Sequence, residues 1–338
     1  MNNGEKSLMS DLRFLYTYID KQNIDIYLNY INSQIIPQNS IRDFFDINAF
    51  NRAGGNRNVS NIIDCFDSIL KREINSVNIL VSDFVVAGTS DECTKAQYNL
   101  TDALIGAIKK DSTFSMIVMQ MIGEFNGKCY WGTGKNKEIL QGKRPYYICI
   151  MGPCNQIAKI IDIGKLKAIS NHIFSFTKGN IPIKYGIGKD KSDNLKIHKS
   201  QIPLVKKGKK ELRQIKLQAE IGNSLLEDSY FLKNKNNYTV SPKGYEIEEI
   251  KKEKDSKNYI LTILIDKKIN QIGSFEIKIK KRNNTKIDID KFNTNSMEWN
   301  IQDSLKTYNV KYILKGIEEA FTNENCFLTK MKITRINK

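Results

Sequence analysis

The chain has 338 residues, a net charge of +16 at pH 7, 40% hydrophobic residues and 9% aromatic residues. That length corresponds to about two domains, and the apolar content is that of a globular protein rather than a disordered one. No apolar run reaches the ~18 residues that a membrane-spanning helix requires, and the first residues lack the pattern of a signal peptide. We therefore expect a cytoplasmic protein that does not insert into a membrane.

The first half of the sequence alternates between helical and extended hydrophobic patterns. Apolar residues at helical spacing predict helices, and short apolar runs bounded by glycine or proline predict strands. Strands that alternate with helices favour an α/β fold, in which helices flank a mostly parallel, Rossmann-like sheet. The predicted helices cover residues 7–20, 96–108 and 155–163, and the predicted strands cover residues 24–31, 77–81, 114–122 and 143–152.

The second half has a different pattern and most of the charge. Residues 1–160 carry a net charge of +1, whereas the remainder carries +15. Short alternating runs separated by lysine, asparagine and glycine predict an antiparallel, β-rich α+β domain. We expect an α/β domain over residues 1–165 and this basic domain over residues 180–338. Its predicted strands are 181–185, 260–265 and 274–280, followed by a helix over 307–321 and a strand over 327–336 that pairs back into the domain.

One stretch, residues 53–88, carries the polar groups that matter most for function. Gly54 and Gly55 open a loop, an amphipathic helix follows, and a buried strand ends at Ser82 and Asp83. In an open α/β sheet, ligands bind beyond the carboxyl ends of the strands, because loops with polar groups converge there. Asp83 is therefore a candidate ligand-binding residue.

Three polar residues lie where this helix is expected to begin, namely Asn56, Asn58 and Ser60. In one interpretation they form the rim of an anion site, because the amides at a helix N-terminus attract negative charge. In the other, Asn58 or Ser60 simply caps the helix. The glycines permit close approach of a ligand to the backbone. The candidates for ligand or partner binding are Gly54, Gly55, Asn56 and Asn58.

The same stretch resembles the von Willebrand factor A family. That family has a Gly-Gly-Thr loop before a helix, and then a strand that ends in Thr/Ser-Asp-Gly. The equivalent triplets here are Gly54-Gly55-Asn56 and Ser82-Asp83-Phe84. The resemblance covers residues 1–165, and it implies the family's fold and its recognition of protein partners through a metal-ion-dependent adhesion site.

The resemblance also implies a Mg²⁺ site with Asp83 and Ser60 as ligands and Asn56 in the place of the threonine. The family's Asp-x-Ser-x-Ser loop and the strand before it are missing, so we expect this metal site to be weak or lost, with no other cofactor. A second interpretation is that Met1 is an internal methionine and that the missing loop lies upstream.

The cysteine and histidine residues do not indicate a zinc site. The six cysteines form no C-x-x-C pair, and the chain has only His172 and His198. We predict that the cysteines are buried free thiols.

We expect a protein-binding or scaffold protein rather than an enzyme, with an unknown protein as its partner. A first alternative is nucleic-acid binding through the basic second half, because lysines neutralise phosphates. A second alternative is a metal-dependent hydrolase or nuclease, because two-metal chemistry needs converging carboxylates. The carboxylates for that alternative are Asp83 with Asp43, Asp46, Asp64 or Glu124.

Overall fold

A computed structural model describes most of the chain, and its helices and strands are numbered below in chain order. The described residues are 8–32, 34–38, 40–46, 54, 62–72, 75–131, 136–187, 201–202, 214–254, 256–266, 269, 273–281, 288–296, 305–322 and 327–335.

A four-stranded sheet lies at the centre of the first half. Its strands in spatial order are β3 (Asn78–Ser82), β5 (Asn136–Pro153), β4 (Phe114–Trp131) and β6 (His172–Thr177). Every neighbouring pair in this sheet is antiparallel. Strands β3 and β4 still run in the same direction, because each is antiparallel to β5 between them.

The prediction of a mostly parallel, Rossmann-like sheet is therefore wrong. Apolar runs such as residues 114–122 arise because both faces of the sheet are covered, and this pattern carries no information about strand direction. A long hairpin was also not predicted from the sequence. Strand β4 continues to Trp131, and β5, which pairs with it, begins at Asn136. The returning strand β5 lies where a parallel neighbour of β3 was expected.

Helices cover both faces of this sheet. The helices are α1 (Leu8–Asp20), α2 (Ile41–Phe44), α3 (Ile62–Arg72), α4 (Ser90–Lys110), α5 (Cys154–Ile160), α6 (Ile163–Ile169), α7 (Ser229–Lys233) and α8 (Val310–Phe321). Successive side chains along β4 point to opposite faces. Met116 and Val118 face the cluster that contains α3, α4 and α8, whereas Ile117 and Met119 face the cluster that contains α1, α5 and the β-rich region. None of the helices in the described part of the chain combines the length and the apolarity that crossing a bilayer demands.

Helix α8, from the end of the chain, packs directly on α4. Gln97 Nε2 donates to Glu319 Oε1 at 2.8 Å, and the Thr101 hydroxyl donates to the Gly316 carbonyl at 3.1 Å. A Cβ at Gly316 would lie 3.0 Å from the Gln97 carbonyl oxygen, so this glycine lets the two helices approach closely.

The domain boundary between residues 165 and 180 stays a prediction.

Two further four-stranded sheets pack face to face as a β sandwich. Tyr245 and Phe275 stack across its interior with ring centroids 4.7 Å apart. The first sheet has the order β11 (Tyr245–Lys252), β12 (Tyr259–Ile265), β9 (Gln214–Ala219) and β7 (Tyr185–Ile187), and the second has the order β10 (Tyr238–Ser241), β13 (Phe275–Lys280), β16 (Phe327–Arg335) and β8 (Gln201–Ile202). The prediction that the last strand pairs back into this region is confirmed, because β16 pairs with β13.

Two short strand pairs complete the described strands. β1 (Leu28–Ile31) and β2 (Ile35–Gln38) form an antiparallel pair near the N-terminus. β14 (Asn293–Thr294) and β15 (Thr307–Tyr308) form a parallel pair just before α8. The second pair lies beside the turn that follows β3, since the Val86 amide donates to the Tyr308 carbonyl.

Candidate functional site

Asp83 lies directly after β3 and is exposed to solvent. Its Oδ1 accepts a hydrogen bond from the Val85 amide at 3.3 Å, and the Ser82 hydroxyl oxygen accepts one from the Phe84 amide at 3.2 Å. Side chains of aspartate and serine commonly hold turns in this way. The turn therefore has a defined conformation, and the Asp83 carboxylate stands at its surface.

Phe84 anchors the turn from below. Its φ is +56°, which is the left-handed region and a strained conformation for a bulky residue. Its side chain has no exposed surface, stacks on Tyr147 with ring centroids 4.9 Å apart, and lies 5.9 Å from the Phe66 ring. Burial of this ring holds the strained backbone in place, so the position of Asp83 is set by the core beneath it.

A row of polar residues crosses the sheet next to this turn. Ser82 on β3 is in register with Tyr147 on β5, Tyr147 with Gln120 on β4, and Gln120 with His172 on β6. Residues directly opposite one another on neighbouring strands share one face of the sheet. The row therefore lies on the face that α3, α4 and α8 cover, at the edge of their hydrophobic cluster. We call Asp83, Gln120, Tyr147, His172 and Thr307 the strand-tip site.

The centre of the row is buried and hydrogen-bonded. Tyr147 has no exposed surface, and its hydroxyl donates to Thr307 Oγ1 at 3.4 Å. Burial raises the pKa of Tyr147 and the Asp83 charge raises it further, while hydrogen bonds with Thr307 and Gln120 lower it. The phenol therefore stays protonated at neutral pH, and it serves as a hydrogen-bonding group rather than a base.

His172 ends the row on the outer strand and is exposed. Its ring meets the Phe292 ring edge-on, with centroids 4.8 Å apart. Partial burial lowers the pKa of His172, and the Lys291 charge lowers it further. The imidazole is therefore neutral at pH 7, so Asp83 is the charged member of the strand-tip site.

The segment just before α8 is hydrogen-bonded to the chain that follows the Asp83 turn. The Val86 amide donates to the Tyr308 carbonyl at 3.4 Å, and Asn309 Nδ2 donates to the Val86 carbonyl at 3.1 Å. Asn309 also contacts Cys93 Sγ at 3.4 Å, which ties the start of α4 to the same segment. The strand-tip site is thus assembled from residues more than 200 positions apart.

The predicted site residues have different outcomes. Gly54 is exposed, and its carbonyl accepts a hydrogen bond from Asn32 Nδ2 at 2.9 Å, beside the β1–β2 pair. No described contact joins Gly54 to Asp83. The other four predicted residues, Gly55, Asn56, Asn58 and Ser60, lie outside the described residues.

The described residues do not by themselves make a magnesium site. Among them, no group of three or more His, Cys, Asp or Glu side chains could hold a metal ion. Mg²⁺ requires near-octahedral oxygen coordination, which the Asp83 carboxylate alone does not supply. The predicted Mg²⁺ site stays a prediction. The carboxylates proposed for a hydrolase are exposed at Asp43, Asp64 and Glu124 and half-buried at Asp46.

The cysteine prediction is confirmed for the four cysteines described by the structure. Cys65, Cys93, Cys149 and Cys154 are buried and free. Burial raises the pKa of Cys65 to about 11 and that of Cys154 to about 12, so neither is a thiolate at neutral pH.

Sequence reasoning missed Gln120, Tyr147 and Thr307 as members of the strand-tip site. Tyr147 follows another tyrosine inside an apolar strand, a pattern that indicates packing, and the structure does bury its ring. The one available signal was Gln120, a polar residue within the mostly apolar run of residues 114–122. A buried polar residue requires a hydrogen-bonding partner.

In comparisons with known proteins, no family model matches the chain, and no curated protein or solved structure matches it either. The resemblance to the von Willebrand factor A family therefore stays a prediction that rests on the triplets quoted above.

Proposed function

We propose that this chain is a binding protein that contacts a protein partner through the strand-tip site, with Asp83 as the anionic contact. One observation carries the proposal: an exposed carboxylate is held on a turn whose next residue, Phe84, is strained, fully buried and stacked on Tyr147. Strained backbone that the surrounding core maintains is concentrated at functional sites.

The arrangement suits recognition because Asp83 is ordered before the partner arrives. A preformed contact loses less conformational entropy on binding than a flexible one, so more of the interaction energy contributes to affinity. The matching group on the partner is cationic, since a carboxylate accepts charge-assisted hydrogen bonds from arginine or lysine. Loss of such a bond costs ~1.5–3 kcal/mol, which is roughly a 10- to 150-fold loss in affinity.

The test compares Asp83→Asn with Asp91→Asn, a matched change at another exposed aspartate in the first turn of α4. Each immobilised protein is incubated with a lysate of its native cells, and the retained proteins are quantified by mass spectrometry. We expect at least one protein that the wild type and Asp91→Asn retain equally and that Asp83→Asn retains about tenfold less. Equal retention of every protein by all three would reject the strand-tip site as the contact.

Repeating the capture with EDTA separates direct contact from contact through a metal ion. Retention that survives EDTA supports a direct ion pair between Asp83 and the partner. Loss of the partner in EDTA, together with Mg²⁺ binding to the wild type by calorimetry that Asp83→Ala abolishes, would instead support the metal site expected from the family resemblance.

A further inference from the structure

The outer face of one sandwich sheet carries a cluster of lysines. Strands β13 and β16 alternate, with Ile277, Ile279, Met331 and Ile333 buried inward. The residues between them point outward, because successive side chains on a strand face opposite sides. We define the lysine face as Lys278, Lys280, Lys330 and Lys332.

Two of these lysines face each other across neighbouring strands. Lys278 and Lys330 are in register, so their Cα atoms are about 5 Å apart. Like charges directly opposite one another destabilise a sheet. Glu276 offsets only part of this charge, because it pairs with Lys278 at 3.0 Å.

The remaining lysines keep their charge available. The Lys280 ammonium donates to the Asn236 carbonyl at 2.9 Å, which positions the ammonium without neutralising it. Lys330 and Lys332 are exposed. Lys332 lies in register with Glu276, but neither lysine forms an ion pair with an acidic residue in the part of the chain that the structure describes. The lysine face therefore presents four ammonium groups against a single carboxylate.

The other sheet of the sandwich does not share this property. On its outer face Glu249 pairs with Lys251 at 2.8 Å, Gln214 donates to Glu248 at 2.9 Å, and Gln218 donates to Glu253 at 2.8 Å. Acidic side chains there pair with lysine or with glutamine. Among the described residues of the sandwich, the excess of lysine over acidic side chains therefore lies on the face of β13 and β16.

We propose that the lysine face binds the phosphate backbone of a nucleic acid. Outward residues on one strand are ~6.8 Å apart, so the face offers a flat, repeating array of cations to a chain of regularly spaced phosphates. Hydroxyls that contact phosphate oxygens flank the array, because Thr239 and Ser241 are exposed on the adjacent strand β10.

The chemistry of the face indicates binding without sequence preference. Lysine is a compact point charge on a flexible stem, and it lacks the planar fork with which arginine recognises bases. Among the described residues, the aromatic ring on this side of the sheet is Phe327, which lies under the Lys278 ammonium at 5.0 Å from the ring centroid. That ring is therefore occupied by a cation rather than open for base stacking.

The test is a fluorescence anisotropy titration of the full chain with a labelled 20-base-pair DNA duplex of arbitrary sequence. We expect binding at ~50 mM salt that weakens steeply as salt rises, because each neutralised phosphate releases about one counterion. Lys330→Gln/Lys332→Gln should reduce the slope of log affinity against log salt by about 2, at about 1 for each lysine that contacts a phosphate.

The matched control is Lys216→Gln/Lys251→Gln, which removes the same charge from the outer face of the other sheet. We expect the control to bind the duplex as the wild type does, and thermal melting checks that both variants fold. Equal weakening by both variants would show that overall charge, not the lysine face, attracts DNA. Absence of binding at ~50 mM salt, or equally tight and equally lysine-dependent binding of poly-glutamate, would also overturn the proposal.

Discussion

The strand-tip site and the lysine face present charge in opposite ways. At the strand tip, a single carboxylate stands on a turn that is locked by buried rings and by a segment from far along the chain. On the lysine face, four cations extend from a regular sheet, and the side chains of Lys330 and Lys332 are exposed. The first arrangement suits one specific contact, whereas the second suits diffuse electrostatic attraction that salt screens.

The largest expected effect comes from breaking the anchor of the strand tip at Phe84. Phe84→Ala removes a fully buried ring and should reduce the free energy of unfolding by about 3–5 kcal/mol. Phe84→Gly removes the same ring, but glycine adopts a φ of +56° without strain. We therefore expect Phe84→Gly to be about 1 kcal/mol less destabilising than Phe84→Ala.

Urea unfolding of both variants measures this difference. Phe327→Ala on the lysine face serves as the comparison, and it should cost clearly less because Phe327 is only partly buried. If Phe84→Gly were as destabilising as Phe84→Ala, the turn would not be strained, and the main support for the strand-tip proposal would be lost.

A smaller effect on stability is expected from a charge reversal on the lysine face. Lys330→Glu converts a like-charged pair with Lys278 into an opposite-charged one, so it should increase the free energy of unfolding by about 0.2–1 kcal/mol. The same change should abolish binding of the DNA duplex, since it adds a negative charge among the lysines. Stability and DNA binding would then change in opposite directions. This is expected where residues that reduce the stability of the fold are retained because binding requires them.

Lys251→Glu is the control for that substitution. Lys251 pairs with Glu249, so its reversal creates a like-charged pair and should slightly destabilise the protein without affecting DNA binding. Destabilisation by Lys330→Glu would mean that the facing lysines do not repel each other in the folded protein.

The smallest effect concerns the pH dependence of stability at His172. Its pKa is lower in the folded protein than the ordinary value of 6.5, so the unfolded chain binds a proton more readily than the folded one does. The contribution of His172 to the free energy of unfolding is therefore fully present above pH 6.5, and it is lost as the pH falls through the lowered pKa of the folded protein. Unfolding measured between pH 7.5 and about 5 should show a shallower decline for His172→Gln than for the wild type, and identical curves would contradict this.

Local elements were predictable where the hydrophobic pattern alone determines them. The strand before Asp83 was predicted at residues 77–81 and is found at Asn78–Ser82, and the strand predicted at 274–280 is found at Phe275–Lys280. From the second of these, alternation alone places Lys278 and Lys280 on the polar side of a strand.

Pairing between distant strands was not predictable in the same way. The polar row requires that Tyr147 lie between Ser82 and Gln120, which depends on β5 inserting between β3 and β4. Likewise, Lys278 lies opposite Lys330 only because two strands that are about fifty residues apart in the sequence are neighbours in the sheet. A periodic pattern determines which side of a strand is buried, but it does not determine which strand lies next to it.

The position of α8 also has a consequence for how the chain folds as it is synthesised. Helix α8 covers the same face of the first sheet as α3 and α4, yet it lies 133 residues beyond the end of β6 in the sequence. At 5–20 residues per second, a ribosome needs roughly 7–27 s to add those residues. During that interval the apolar face of the nascent sheet lacks its last helix, so a chaperone that shields exposed apolar surface has its best opportunity to act there.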